Sequence, residues 1–280
     1  MIMELDKTVP VTESDLGKVV ATVRRNFGFE FGDYAISSFK RRVERYLGLK
    51  GMQDVNDLCL ALRSRDVFDE FLKEITVNTT ELFRDPGMWG VLREKILPKL
   101  FKKNDRVSIW HAACSSGEET MSMAITLKEL GFLDRADIVA TDINEDMVKQ
   151  AQSGLYMAWR MRGYEKNYKE SGASGDLSKH YDMVGSKVQF DMNLIKNVQY
   201  KTFDLVLDTQ FKKFDLVLIR NVLIYFNMDL QEKVLSGINN ALNPKGYLVL
   251  GAQESINWHK ANDNLMAINN QFKVYKKMRD

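Results

Sequence analysis

Cysteine is nearly absent from this chain of 280 residues, which has only Cys59 and Cys114. Two thiols so far apart in sequence build neither a disulfide framework nor a metal knuckle, and the expected setting is a reducing one, the cytoplasm. Histidine is sparse too: His111, His180 and His259 share no spacing that would hold a metal. No run approaches the roughly 18 to 20 apolar residues of a membrane span, and the opening Met-Ile-Met-Glu-Leu-Asp lacks the basic and apolar regions of a signal peptide. An excess of one charge is also missing. Forty basic against 38 acidic side chains leave +2, so no global field draws the chain to nucleic acid or to an acidic membrane surface. What is present is an ordinary globular composition, 45% apolar and 28% charged, at a length that suits one large domain or two unequal ones.

Residues 1–75 read as short helices. Apolar positions recur at helical spacing through Leu16, Val19, Val20 and Val23, then through Phe39, Val43, Tyr46 and Leu47, then through Leu58 to Leu72, with glycines at the breaks. On the second helix Arg41 and Arg45 lie four apart, opposite the apolar face, with Lys40 and Arg42 beside them. That basic stripe reads either as a solvated face or as a docking surface for an acidic partner. A polar connector, residues 76–87, holds Arg84 among apolar neighbours. From residue 88 to 280 strands alternate with helices: Val107–Ala112, a helix from about Glu118, a strand ending in Asp142, and strands at Phe214–Ile219, Tyr247–Gly251 and Gln271–Lys277. Residues of about 157–200 break that rhythm and read as an insertion of small strands or loops, with candidate strands at 181–184, 187–190 and 198–200.

The segment Ala112-Ala-Cys-Ser-Ser-Gly-Glu-Glu119 is a strand end, a loop of small residues and an acidic first helical turn. In open α/β sheets ligands bind beyond the carboxyl ends of the strands, and small residues let a ligand approach the backbone. Asp142 stands 25 residues after Gly117, where nucleotide-binding sheets place a carboxylate for the ribose hydroxyls. A dinucleotide would set its pyrophosphate on the helix start, where Glu118 and Glu119 repel it. Two carboxylates suit a ligand with an ammonium and a sulfonium, which points to S-adenosylmethionine.

Four strings then act together: Asn78-Thr-Thr-Glu-Leu-Phe-Arg84-Asp; Trp110-His-Ala-Ala-Cys-Ser-Ser-Gly-Glu-Glu; Ala140-Thr-Asp-Ile-Asn with Ala151-Gln-Ser-Gly-Leu-Tyr; and Phe214-Asp-Leu-Val-Leu-Ile-Arg-Asn-Val-Leu-Ile-Tyr-Phe. In this order, over nearly the whole chain, they resemble the CheR family, chemotaxis receptor methyltransferases that esterify receptor glutamates from S-adenosylmethionine. The resemblance implies an α/β fold: an N-terminal all-α bundle, then a doubly wound, Rossmann-like class I methyltransferase sheet with a small β insertion. It implies cofactor contacts at Asn78, Thr80 and Arg84, at Gly117 and Glu119, at Asp142, at Asp204 and Leu205 near the adenine, and at Arg220 and Asn221. Arg84 and Tyr225 would lie beside the transferred methyl as catalytic residues, with S-adenosylhomocysteine as product and no metal. Asp204 departs from the asparagine expected there, and Met121 stands where the family often has an aromatic residue. The bundle would face the acidic helical coiled coil of a receptor's cytoplasmic domain, which makes Lys40, Arg41, Arg42 and Arg45 partner-binding candidates on a monomer. In some members the β insertion holds a tethering peptide.

The chemistry agrees with this residue set. A glutamate of pKa near 4.3 is already nucleophilic at neutral pH, so no general base is needed and positioning is what remains. Two other readings stay open: a non-catalytic S-adenosylmethionine-binding adaptor, and a class I methyltransferase acting on another substrate. Base-methylating amino enzymes carry an Asn-Pro-Pro-Tyr type loop after the fourth strand, and Arg220-Asn221-Val222-Leu223 lacks its prolines and stacking aromatic.

Overall fold

Thr12 opens the first helix, α1 (Glu13–Phe27), with a capping box in which it and Asp15 satisfy each other's backbone N–H groups. In the computed structural model, which describes residues 9–29, 31–75, 80–208, 212–257, 259–260 and 263–278, the chain forms two units: Met1–Asn78 with Ile224–Gln231, and Thr79–Leu223 with Glu232–Asp280. In the first unit α1 is followed by α2 (Ile36–Lys50), α3 (Val55–Ala61) and α4 (Arg65–Ile75). The expected face of α2, Phe39, Val43, Tyr46 and Leu47, is buried in one apolar core with Val19, Val23, Leu58, Phe68 and Phe71. The segment 224–231 joins this unit by backbone bonds: Ala35 N donates to Tyr225 O at 2.9 Å and Asn227 N to Asp33 O at 2.8 Å.

The second unit starts with α5 (Pro86–Val91), one π-helical turn (Leu92–Ile96) and α6 (Leu97–Lys103). There follow β1 (Val107–Ala112), α7 (Glu118–Glu129), β2 (Ala136–Asp142), α8 (Glu145–Ser153), β3 (Leu155–Met157), α9 (Met161–Glu170), β4 (Tyr181–Val184), β5 (Lys187–Phe190) and β6 (Gln199–Thr202). The chain ends with β7 (Phe214–Ile219), α10 (Met228–Ala241), β8 (Leu242–Leu250), β9 (Leu265–Asn269) and β10 (Val274–Lys277). The seven-stranded sheet runs β6-β2-β1-β7-β8-β10-β9, parallel except at β10, and β3-β5-β4 form a separate antiparallel sheet. The strand order reverses between β1 and β7, so a topological switch point lies beyond their carboxyl ends. β1 and β7 are apolar runs because helices cover both faces.

Two expectations for residues 157–200 need correction. The strand near 198–200 is not part of the insertion: β6 pairs in parallel with β2, from Val139 opposite Gln199 to Asp142 opposite Thr202. Its sequence, Gln-Tyr-Lys-Thr, is that of a sheet edge and so carried no apolar signal. Residues 161–170 are helical, with Met161, Tyr164 and Tyr168 on the buried face, a period that tyrosines obscure. Among the described residues no helix is long and apolar enough to cross a membrane.

A polar knot ties the π turn, the end of α7, α9 and the insertion together. The Glu129 carboxylate accepts from Arg93 Nη1 at 2.6 Å, from His180 Nε2 at 3.4 Å and from the Tyr168 hydroxyl. Burial alone would raise the Glu129 pKa, but the hydrogen bonds from His180, Tyr168 and Arg93 bring it from 4.5 down to about 2. A depressed carboxylate pKa contributes stability above its unfolded value that is lost as pH falls through the folded one. Urea unfolding free energies of the wild type and Glu129→Gln should therefore differ by up to about 3 kcal/mol at pH 7 and converge between pH 4.5 and about 2. Parallel curves across that window would refute the assignment.

Candidate active site

Parallel register brings the site's three segments to one edge of the sheet. Ala112, the last residue of β1, is level with Thr141 of β2 and Ile219 of β7, so the Cys114 loop, Asp142 and Arg220 all leave the sheet together. The loop is wound tightly: Cys114 N donates to Thr141 O at 2.7 Å and Gly117 N to Cys114 O at 3.0 Å. Ala113, Ser115 and Gly117 take φ of 65°, 49° and 91°. Only glycine fits at 117, because a Cβ there would lie 2.6 Å from Ala151 Cβ and 2.7 Å from its Cα.

Asp142 is buried at the end of β2, and each of its oxygens already takes one backbone donor. Ser115 N bonds Oδ2 at 2.8 Å and Asn144 N bonds Oδ1 at 2.9 Å. Burial raises its pKa, against those N–H groups. The Ile143 backbone N–H also faces this carboxylate, which stands beyond the end of β2, where nucleotide-binding sheets hold a ribose diol.

The two glutamates of α7 separate. Glu118, expected to face the ligand, is buried on the other side, accepting from Ser116 Oγ at 2.6 Å and from Arg160 Nη1 and Tyr164 Oη at 3.1 Å each. Consecutive residues point about 100° apart on a helix, which sends the two carboxylates to different partners. Burial raises the Glu118 pKa against Ser116 and Arg160. Glu119 keeps a 14% exposed side chain, with Oε1 bonded to His111 Nδ1 at 2.8 Å and Oε2 to Arg220 Nη1 at 2.9 Å. Burial pushes its pKa up, but His111 and Arg220 outweigh that and hold it below the usual carboxylate value.

The Arg220 side chain is 2% exposed, and its Nη1 and Nη2 groups bond Glu119, Asp85 Oδ2 at 2.6 Å and the Arg84 carbonyl at 3.2 Å, while its buried Nε has no partner among the described residues. Through these bonds it holds the connector. Phe83 N also donates to Ser122 Oγ at 2.8 Å and Trp89 Nε1 to Arg84 O at 3.1 Å. Thr80 is half-buried, its carbonyl accepting from Arg160 at 3.4 Å, and Arg84 is half-buried. Asn78 lies outside the described residues. Asp204 and Leu205 follow β6 in a turn tied to β2, where Phe203 N donates to Asp142 O at 3.0 Å and Asp204 Oδ1 accepts from Val206 N at 2.7 Å. Asn221 adopts φ 61° after β7.

The remaining candidates lie in the first unit. The guanidinium of Arg42 stacks over the Tyr225 ring with its carbon 4.9 Å from the centroid and donates to Glu74 O at 3.4 Å, so it is turned off the basic stripe. Lys40 stands 3.9 Å from Glu44, and Arg45 pairs with Glu74 at 2.8 Å. Arg41 is exposed and has no ion-pair partner among the described residues. Motif spacing missed His111, Asp85 and Arg160; for Asp85 the signal was its place between Arg84 and Pro86.

A sheet edge with one ribose-type carboxylate, an acid held beside a buried arginine and a pinned connector fits S-adenosylmethionine. Asp142 would hold the ribose and Glu119, with one lone pair left on each oxygen, the ammonium. With the N-terminal all-α domain and the mostly parallel seven-stranded sheet, this is a class I methyltransferase fold. Residues 14–76 match the family described as CheR methyltransferase, all-alpha domain, and residues 78–272 the CheR methyltransferase, SAM binding domain. The chain belongs to the CheR family of S-adenosylmethionine-dependent methyltransferases. It is similar to Cher3 of Pseudomonas putida, named as a candidate methyltransferase, at 33% identity over 95% of this chain and 97% of that one. It is 29% identical to the chemotaxis protein methyltransferase of Listeria innocua over 95% of this chain and 99% of that one. Chemotaxis protein methyltransferase 1 of Vibrio cholerae is 35% identical over 69% of this chain and 70% of its own.

Gly117→Ala forces a methyl against Ala151 at a backbone angle that L residues avoid. It should lower the unfolding free energy by about 1–3 kcal/mol, and an unchanged urea midpoint would show that the loop is not held as described.

Proposed function

We propose that the chain transfers a methyl group from S-adenosylmethionine to glutamate side chains of chemotaxis receptors, forming glutamate methyl esters, and acts in the cytoplasm as a monomer. The reading is supported above all by the edge where Asp142, Glu119 and the Arg220-held connector meet, and by the names of the chemotaxis relatives. Bound S-adenosylmethionine supplies a methyl on a sulfonium; a glutamate oxygen bonds to that carbon while the carbon–sulfur pair returns to sulfur, leaving neutral S-adenosylhomocysteine. The glutamate is ionised at neutral pH, so no residue has to remove a proton. Arg84, permanently charged and forked, orients the incoming carboxylate, and the Tyr225 hydroxyl donates a second hydrogen bond to it. Asn78, Thr80, Asn221, Asp204 and Leu205 complete the cofactor's surroundings in this reading. The N-terminal helices, residues 1–75, serve as the docking domain, and Arg41 is the basic residue most available to an acidic helical coiled coil.

Incubated with tritiated S-adenosylmethionine and receptor membranes, the protein should label receptors so that alkali releases volatile methanol, and Arg84→Ala should cut the rate about a hundredfold. Base-stable label would point to another acceptor group and sink the ester reading. Arg41→Glu should slow receptor methylation at low ionic strength and lose that effect as salt is raised, because exposed charges are screened. A rate insensitive to the reversal at low salt removes Arg41 from the docking surface.

A further inference from the structure

Between β8 and β9 lies a carboxylate that no motif singled out. Glu254 is 4% exposed, and among the described residues no lysine, arginine or histidine pairs with it. Instead it accepts four backbone hydrogen bonds. Asn221 N and Gly251 N donate to Oε2 at 2.9 and 2.6 Å, and Val222 N and Leu223 N donate to Oε1 at 2.9 and 2.8 Å. Three successive N–H groups that converge in this way form a concavity of the kind that binds anions, and here the protein's own side chain fills it. Asn221 sits at φ 61° inside that turn, a conformation with a cost that four charge-assisted bonds offset. Gly251 is required by the same arrangement: a Cβ at 251 would stand 2.7 Å from Glu254 Oε2 and 2.8 Å from both Asn221 N and Nδ2.

We propose that Glu254 is a positioning residue for methyl transfer, its carboxylate setting the backbone of residues 221–223 and thereby the place of Asn221. The inference rests on the methyltransferase reading above, in which Asn221 borders the cofactor. Glu254 itself does not, so its effect passes through the loop.

Glu254→Gln keeps the side chain's length but replaces one acceptor oxygen with an amide N–H₂ that faces two of the four donors. The ligand-free variant, folded by circular dichroism, should show upfield-shifted backbone amide protons at Asn221, Val222, Leu223 and Gly251. Its affinity for S-adenosylhomocysteine and its kcat should each fall at least about tenfold. Gly251→Ala crowds the same carboxylate without removing its charge, serves where Glu254→Gln does not fold, and should give the same pattern. A merely structural role would lower the melting temperature while leaving affinity and kcat unchanged well below it, and that outcome in either folded variant overturns the proposal. Wild-type protein that binds no S-adenosylhomocysteine in calorimetry counts against the methyltransferase reading, whereas wild-type binding with unaltered variants counts against Glu254 alone.

Discussion

The buried hydrogen-bonded chain from His111 through Glu119 and Arg220 to Asp85 is the constraint on which the site depends. Taking a guanidinium to 2% exposure costs several kcal/mol unless its partners are well placed. Here Glu119 at 2.9 Å, Asp85 at 2.6 Å and the Arg84 carbonyl at 3.2 Å are its partners. They come from two segments: α7, and two successive residues of the connector. Replacing the whole set by apolar side chains could hold the fold together equally well, since buried ion pairs rarely add net stability. What apolar packing cannot supply is direction. A forked donor with two carboxylates and a carbonyl fixes the connector against the sheet edge in one orientation.

Backbone strain is gathered at the same place. Of seven non-glycine residues with positive φ among the described residues, five, namely Phe83, Asp85, Ala113, Ser115 and Asn221, fall in the connector, the Cys114 loop and the turn after β7. At about 1 kcal/mol or more for each, such residues persist only where neighbours over-determine them. Asp85 is held by Arg220, Ser115 by Asp142 and Asn221 by Glu254, each through a buried charged side chain. Asp142, Arg220 and Glu254 are thus as much anchors for unfavourable backbone as they are groups facing a pocket.

Much of this was legible in the sequence, for identifiable reasons. Apolar periodicity located α2 and β1 because each buries a continuous face or run, and the spacing from Gly117 to Asp142 placed that carboxylate at the carboxyl edge of the sheet, beside the Cys114 loop, because one βαβ unit sets it. Other features were not legible. The strand that became β6 was visible, but its polar sequence did not assign it to the edge of the main sheet, and α9 buries tyrosines that dilute its period. The division of labour between Glu118 and Glu119 was hidden because adjacent letters do not say which face each occupies. The family resemblance named Arg220 as a cofactor contact, but no spacing could reveal that it also pairs with Asp85 and Glu119. Glu254 was invisible for the same cause: its partners are backbone groups of a loop far upstream.

The buried acids of this unit bear on the chemistry. Raised carboxylate pKa values often mark acid or base catalysts, and burial raises those of Glu118, Asp142 and Glu254. Yet a general base needs an unoccupied lone pair directed at a substrate proton. Glu118 is enclosed by Ser116, Arg160 and Tyr164, and Glu254 by four N–H groups. Asp142 is held by the backbone N–H groups of Ser115, Ile143 and Asn144. Perturbation here follows from enclosure, and each enclosed carboxylate is a fastening. An acceptor that must be deprotonated, such as a neutral amine or hydroxyl, would find these acids committed elsewhere. An acceptor that arrives ionised needs only to be oriented, and orientation is what the carboxylates, through Arg220 and the loops they hold, are built to supply.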